Sequence, residues 1–224
     1  MTKLAIYTAM YGDYDVPKPL RINTNLGPNV EVQSIFYTDT PNLTVPGWKV
    51  RYVPMAGSLT NNMKAKWWKL NPFDACPDTD ISCWVDAAVT VTNPNYLQYC
   101  LDCIGSDDWS LMRHAERDCV YAEATFTAKV GRAYPDAMRL QSEHYRHLGH
   151  PERWGLFAST TNVRRHTDEV AAVCCDWWFE CTRWSHQDQV SLPVVIRNSD
   201  LKWNTNLKWA TGWGHTDHKV FLPI

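Results

Sequence analysis

The chain has 224 residues, with 22 Lys and Arg against 24 Asp and Glu for a net charge of −2, and is 45% hydrophobic and 21% charged. That balance suits one large globular core and offers no broad basic surface, so no nucleic-acid partner is expected and any anionic ligand must be held locally. No run reaches the ~20 apolar residues of a membrane-spanning helix, and the N-terminus lacks a secretory pattern, so a cytoplasmic location with reduced, mostly buried cysteines is expected.

In chain order, residues 3–8 read as a buried strand running into the turn cluster Tyr11-Gly12-Asp13-Tyr14-Asp15. Residues 30–37 form a second strand ending at Thr38-Asp39-Thr40-Pro41, and residues 48–53 a third. Residues 61–70 make a basic, Trp-bearing helix stopped by Asn71-Pro72. The run Ile81-Ser-Cys-Trp-Val-Asp86-Ala-Ala-Val-Thr-Val91 gives a strand over 81–85 with one carboxylate set in apolar sequence. An unpaired ionised Asp there would cost several kcal/mol, so Asp86 either caps a turn or meets a metal, a hydrogen-bond network or a cleft. Asp13, Asp39 and Asp86 all follow predicted strand ends, where open parallel α/β sheets bind their ligands.

The second half is more helical, with helices predicted over 118–130, 135–148 and 168–184, the last capped by Thr167, and a strand over 154–159. Asp188 opens another helix after Ser185. The tail from 197 to 224 is rich in Trp, Asn and His without periodicity and reads as a loose terminus or a lid. Neither repeats nor Gly/Ser linkers divide the chain, which favours a single domain. Cys100-x-x-Cys103 and Cys174-Cys175 allow a zinc site, but the first pair also suits a helix end and the second a helix interior.

The ordered set Tyr7-Thr-Ala-Met-Tyr-Gly-Asp-Tyr-Asp15, Phe36-Tyr-Thr-Asp39, Gly47-Trp-Lys-Val50, Lys66-Trp-Trp-Lys69, Cys83-Trp-Val-Asp-Ala87, His114-Ala-Glu-Arg-Asp-Cys-Val-Tyr-Ala-Glu123 and Ser185-His-Gln-Asp-Gln189 carries a family resemblance. It resembles the glycosyltransferase-like family with plant mucilage-related and bacterial polysaccharide-associated members, and more distantly the A-type nucleotide-sugar transferases. The resemblance implies an α/β fold: one Rossmann-like domain with a mixed, mostly parallel sheet flanked by helices. Residues 1–93 would be its nucleotide-binding half, 94–196 its acceptor side and 197–224 the lid or tail.

The implied reaction moves a sugar, hexosyl in type, from a nucleoside diphosphate sugar to a glycan or other hydroxyl acceptor. Asp86 falls where the fold carries its metal-binding acids, but Ala87 and Ala88 follow it, so a cation, manganese or else magnesium, needs borrowed ligands such as His215 or His218. Lys66 would offset diphosphate charge, unless it belongs only to a solvated basic face. Thr8, Ala9 and Tyr11 would admit the base and ribose, with Tyr11 stacking. Asp39 would bond the base or ribose, or form an Asx turn before Pro41. Asp188 would orient the sugar or act as base, unless it only caps its helix; Glu123 is the alternative base and His114 a third. Trp177, Trp178 and Trp184 suit a helix core, whereas Trp203, Trp209 and Trp213 suit sugar contact. The rival functions are a noncatalytic carbohydrate-binding protein and a hydrolase using Glu123 with Asp188.

Overall fold

The computed structural model describes residues 1–13 and 15–208 and the backbone of 219–220. Its strands are β1 (Thr2–Met10), β2 (Val30–Thr38), β3 (Lys49–Tyr52), β4 (Ile81–Val85), β5 (Thr90–Val91), β6 (Trp109–Arg113), β7 (Phe157–Arg165), β8 (Trp203–Leu207) and β9 (Lys219–Val220). Seven of them form one sheet in the order β3-β2-β1-β4-β7-β6-β8, while β5 and β9 pair separately. β7 runs antiparallel to β4 and β6, and every other pairing in the large sheet is parallel. This is the mixed, mostly parallel α/β sheet expected from the sequence.

The helices are α1 (Asn61–Leu70), α2 (Pro72–Ala75), α3 (Tyr96–Ile104), α4 (Val120–Lys129), α5 (Pro135–His147), α6 (Asp168–Arg183) and α7 (Asp188–Arg197). β1 is covered on both faces, which is why its run is apolar without alternation. Leu4 and Ile6 join a cluster with Leu97, Cys100 and Ile104 of α3, while Ala5, Tyr7 and Ala9 join one with Ala65 of α1. The chain leaves β1 for β2 and β3 on one side and returns to β4 on the other. The β1/β4 boundary is therefore the topological switch point, where a crevice opens beyond the strand ends.

α1 starts where the Thr60 hydroxyl accepts the Met63 N–H at 3.3 Å. It stops at Asn71 because Pro72 has no N–H and disfavours helix in the residue before it. On the sheet side, the Trp68 ring stacks on Tyr37 with centroids 3.7 Å apart, and Trp67 meets Trp178 of α6 edge-on. The basic helix is thus pinned by its tryptophans, which fixes where its lysines point.

Several expectations need correction. α3 and β6 form in stretches whose sequence predicts no element, and the strand expected over 154–159 lies at Phe157–Arg165. Part of the aperiodic tail is β8, drawn into the sheet beside β6. Trp203 packs against Trp154 and Phe157 at 5.6 and 5.4 Å, so core packing accounts for it better than sugar contact. Trp209, Trp213, His215 and His218 lie outside the described residues. All eight cysteines are free thiols, and the described residues assemble no group of three His, Cys, Asp or Glu, which leaves the zinc reading without a site. No helix among the described residues is long and apolar enough to cross a membrane.

Candidate functional site

A cavity of about 360 Å³ opens at the β1/β4 switch point, with Ala9, Tyr11, Asp13, Lys66, Lys69 and Asp86 among its lining residues. Asp86 is the first residue beyond β4, with its N–H bonded to the Thr160 carbonyl at 2.9 Å. Its Oδ1 accepts from the Trp84 indole at 2.6 Å and the Lys69 ammonium at 3.3 Å, and Oδ2 accepts from neither. The side chain is 34% exposed, so a network and a cleft together explain the carboxylate in the apolar run.

Behind it lies a buried relay of charge. Lys69, with only 4% of its side chain exposed, reaches Asp188 Oδ2 at 2.7 Å as well as Asp86, and Lys66 reaches Asp188 Oδ1 at 2.9 Å. Ser159 of β7 accepts from Lys69 at 3.1 Å and donates to Asp188 at 2.9 Å. Burial alone pushes the Asp188 carboxyl up, but the two lysines outweigh it and hold the group well below the usual carboxylate range. Burial likewise pulls the Lys69 ammonium down, and Asp188 and Asp86 overcome it. A carboxylate held between two ammoniums is a weak proton acceptor, so this geometry suits Asp188 to a counter-ion role rather than to a general base.

The β1 wall is more structural than expected. Tyr11 is buried, its hydroxyl donating to the Val53 carbonyl at 3.0 Å and accepting from the Trp68 indole at 2.8 Å, so its ring is not free to stack on a base. Asp39 accepts the Gly12 N–H at 2.9 Å and so holds the turn after β1, while the turn before Pro41 is closed by the Thr38 hydroxyl on the Thr40 N–H. Gly12 has φ of 71°, and an added Cβ would collide with Asn61. Thr8 is buried and does not line the cavity; Ala9 does.

Glu123 is separate from this cluster. It is buried on α4 and paired with the Arg117 Nε, and Arg117 also bonds Glu116 at 3.0 Å and covers the Phe126 ring at 4.0 Å. His114 Nδ1 accepts the N–H groups of Glu116 and Arg117 at 3.2 and 3.1 Å. Burial lowers the His114 pKa, with Glu123 opposing and Arg117 assisting. These groups fold the loop after β6 and do not line the cavity, so neither Glu123 nor His114 is placed as a base there, and a hydrolytic Glu123–Asp188 pair has no support.

Ser159 is the residue that sequence reasoning missed, and Lys69 one that it weighs with Lys66 but leaves as part of a solvated basic face. The three-residue spacing from Lys66 places both lysines within one helical turn, and the burial of Lys69 between two carboxylates is what the spacing does not reveal. Nothing in the sequence marks Ser159, which joins the site through the antiparallel return of β7.

The switch-point cavity is thus walled by Asp13, Asp86 and two partly neutralised lysines, beyond the ends of central strands of an α/β sheet. The family model for the TOD1/MUCI70 glycosyltransferase-like domain matches residues 33–210, and the chain belongs to that family. The crystal structure of mouse xyloside xylosyltransferase 1 in its apo form is similar over 91% of this chain and 84% of that one, with 10% identity and a TM-score of 0.47. No curated protein sequence matches the chain.

Proposed function

We propose that the protein transfers a hexosyl group from a nucleoside diphosphate sugar to a glycan hydroxyl, with the diphosphate seated in the cavity between β1, α1 and β4. The observation that carries this reading is the Lys66–Asp188–Lys69–Asp86 array opening on a cavity of nucleotide-binding size at the switch point. In the transfer, the acceptor hydroxyl oxygen bonds to the anomeric carbon as the bond to the β-phosphate oxygen breaks, and the hydroxyl proton passes to the departing diphosphate or to water. The electron pair leaves with the diphosphate. Lys66 and Lys69 lie where that departing charge collects, and Asp188 keeps both ammoniums charged and directed.

The charge balance calls for a further cation. Asp13, Asp86 and Asp188 set three carboxylates against the two lysines, so a diphosphate meets a site with no positive surplus. Asp86 and Asp13 are hard oxygen donors on the same cavity, and they would be the residues to hold a manganese or magnesium ion, which binds through one or two carboxylates in many phosphate sites. Such an ion, when bound, supplies Lewis-acid stabilisation of the leaving diphosphate.

The test is a panel of uridine and guanosine diphosphate sugars incubated with the protein and manganese, with free nucleoside diphosphate and sugar products identified by mass spectrometry. Release of nucleoside diphosphate from one donor, lost in Asp86→Asn and Lys69→Met, supports the reading. Glycan binding with no nucleotide turnover would replace it with a noncatalytic carbohydrate-binding function.

A further inference from the structure

Arg164 is a fully buried guanidinium on β7 with no carboxylate paired to it among the described residues. Withdrawing such a charge from water is expensive, and an apolar residue of similar volume would fill the space at less cost. Its donors are committed to a particular target. Nη2 bonds the main-chain carbonyl of Lys69 at 2.7 Å and the Tyr7 hydroxyl, and Nη1 points to the Cys174 sulfur at 3.5 Å. The plane lies over Trp109 at 5.1 Å, and Nε has no partner.

The Lys69 carbonyl belongs to the last turn of α1, where helix carbonyls lack intrahelical donors, and Pro72 stops the chain from continuing the ladder. Tyr7 donates to the same carbonyl at 3.4 Å while it accepts from Arg164. The buried charge thus braces one peptide group, and that peptide carries the side chain that bridges Asp86 and Asp188.

We propose that Arg164, assisted by Tyr7, is a positioning residue that fixes the C-terminal turn of α1 through the Lys69 carbonyl and so holds the Lys69 ammonium between Asp86 and Asp188. Its consequence for transfer rests on the function proposed above; the positioning of Lys69 does not. Displacing a group that acts on the leaving diphosphate by about 1 Å can cost on the order of 100-fold in rate.

The test compares Arg164→Met, Arg164→Lys and Tyr7→Phe with the parent protein by three readouts: thermal unfolding, amine acylation of Lys69 followed by peptide mass spectrometry, and kcat and KM for donor turnover. Arg164→Met is expected to keep a cooperative transition near the parent's Tm and to raise Lys69 acylation severalfold while the exposed Lys129 is unchanged. Its kcat should fall roughly 100-fold with little change in donor KM, and Arg164→Lys should recover part of both effects. Unchanged Lys69 acylation in a folded Arg164→Met protein overturns the proposal. If Arg164→Met does not fold, unchanged acylation in both other variants overturns it. Increased Lys69 acylation in Arg164→Met, when the parent turns over no donor, upholds the positioning and removes the transferase reading instead.

Discussion

Two buried ion clusters sit beyond parallel strands that end on the same edge of the sheet, one after β4 and one after β6, and only the first lines the switch-point cavity. After β6, Arg117 spends its guanidinium on Glu123, Glu116 and the Phe126 ring, and His114 spends Nδ1 on backbone amides. That arrangement closes a loop. After β4, Lys66 and Lys69 share Asp188 internally and still line a cavity with Asp86. Buried charge alone is therefore a poor marker of function; what distinguishes the second cluster is that its charges face space a ligand can enter.

The sharpest way to break this contrast is at Asp188. Asp188→Asn leaves two lysines without their shared counter-ion and is expected to lower unfolding free energy by about 3–5 kcal/mol in denaturant titration. The Asp188 pKa is depressed in the fold, so its contribution is present above the ordinary carboxylate range and is lost as pH falls through and below it. The parent should lose stability on acidification below about pH 4, the unperturbed carboxylate value, and the variant should show a shallower loss there. Next in size, Lys69→Met should reduce donor turnover by on the order of 10²–10³ in steady-state kinetics, the loss expected when a group that stabilises developing charge is removed.

At the closed cluster the expected outcome is different. Glu123→Gln should cost about 1–3 kcal/mol of stability through the weakened bond to Arg117, while nucleotide affinity measured by calorimetry stays at the parent value. A loss of affinity there would erase the distinction between the clusters. A pH slope is expected away from both. Burial lowers the pKa of His150, helped by Arg197, and of His166, helped by Arg164 and opposed by Asp80, each from 6.5 to about 4. Both are neutral in the fold, so stability should fall as pH drops from 6.5 towards 4, and His150→Phe or His166→Phe should flatten that slope in stepped-pH denaturation.

The parallel half of the fold was legible because its strands are continuous apolar runs ended by Gly, Asp and Pro, and because Asn71-Pro72 stops α1 on cue. β6 and β8 were not, since Trp109–Arg113 and Trp203–Leu207 are short and take their strand identity from each other and from β7. At the site, Asp86 and Asp188 could be picked out as charges at a strand end and a helix start, and Lys66 as part of a basic helix. The pairing of Lys66 with Asp188, and the use of Tyr11 and Asp39 as braces, depends on contacts between residues 27 to 122 positions apart in the chain. No local pattern encodes such contacts.

The central claim, that the β1/β4 cavity receives a nucleoside diphosphate, is tested most directly by calorimetric titration of uridine and guanosine diphosphates with and without manganese into the parent, Asp86→Asn and Glu123→Gln proteins. The account predicts binding to the parent that manganese strengthens, loss of that strengthening in Asp86→Asn, and parent-like behaviour in Glu123→Gln. Absence of nucleotide binding to the parent, or binding that Asp86→Asn leaves unchanged in the presence of manganese, would contradict it.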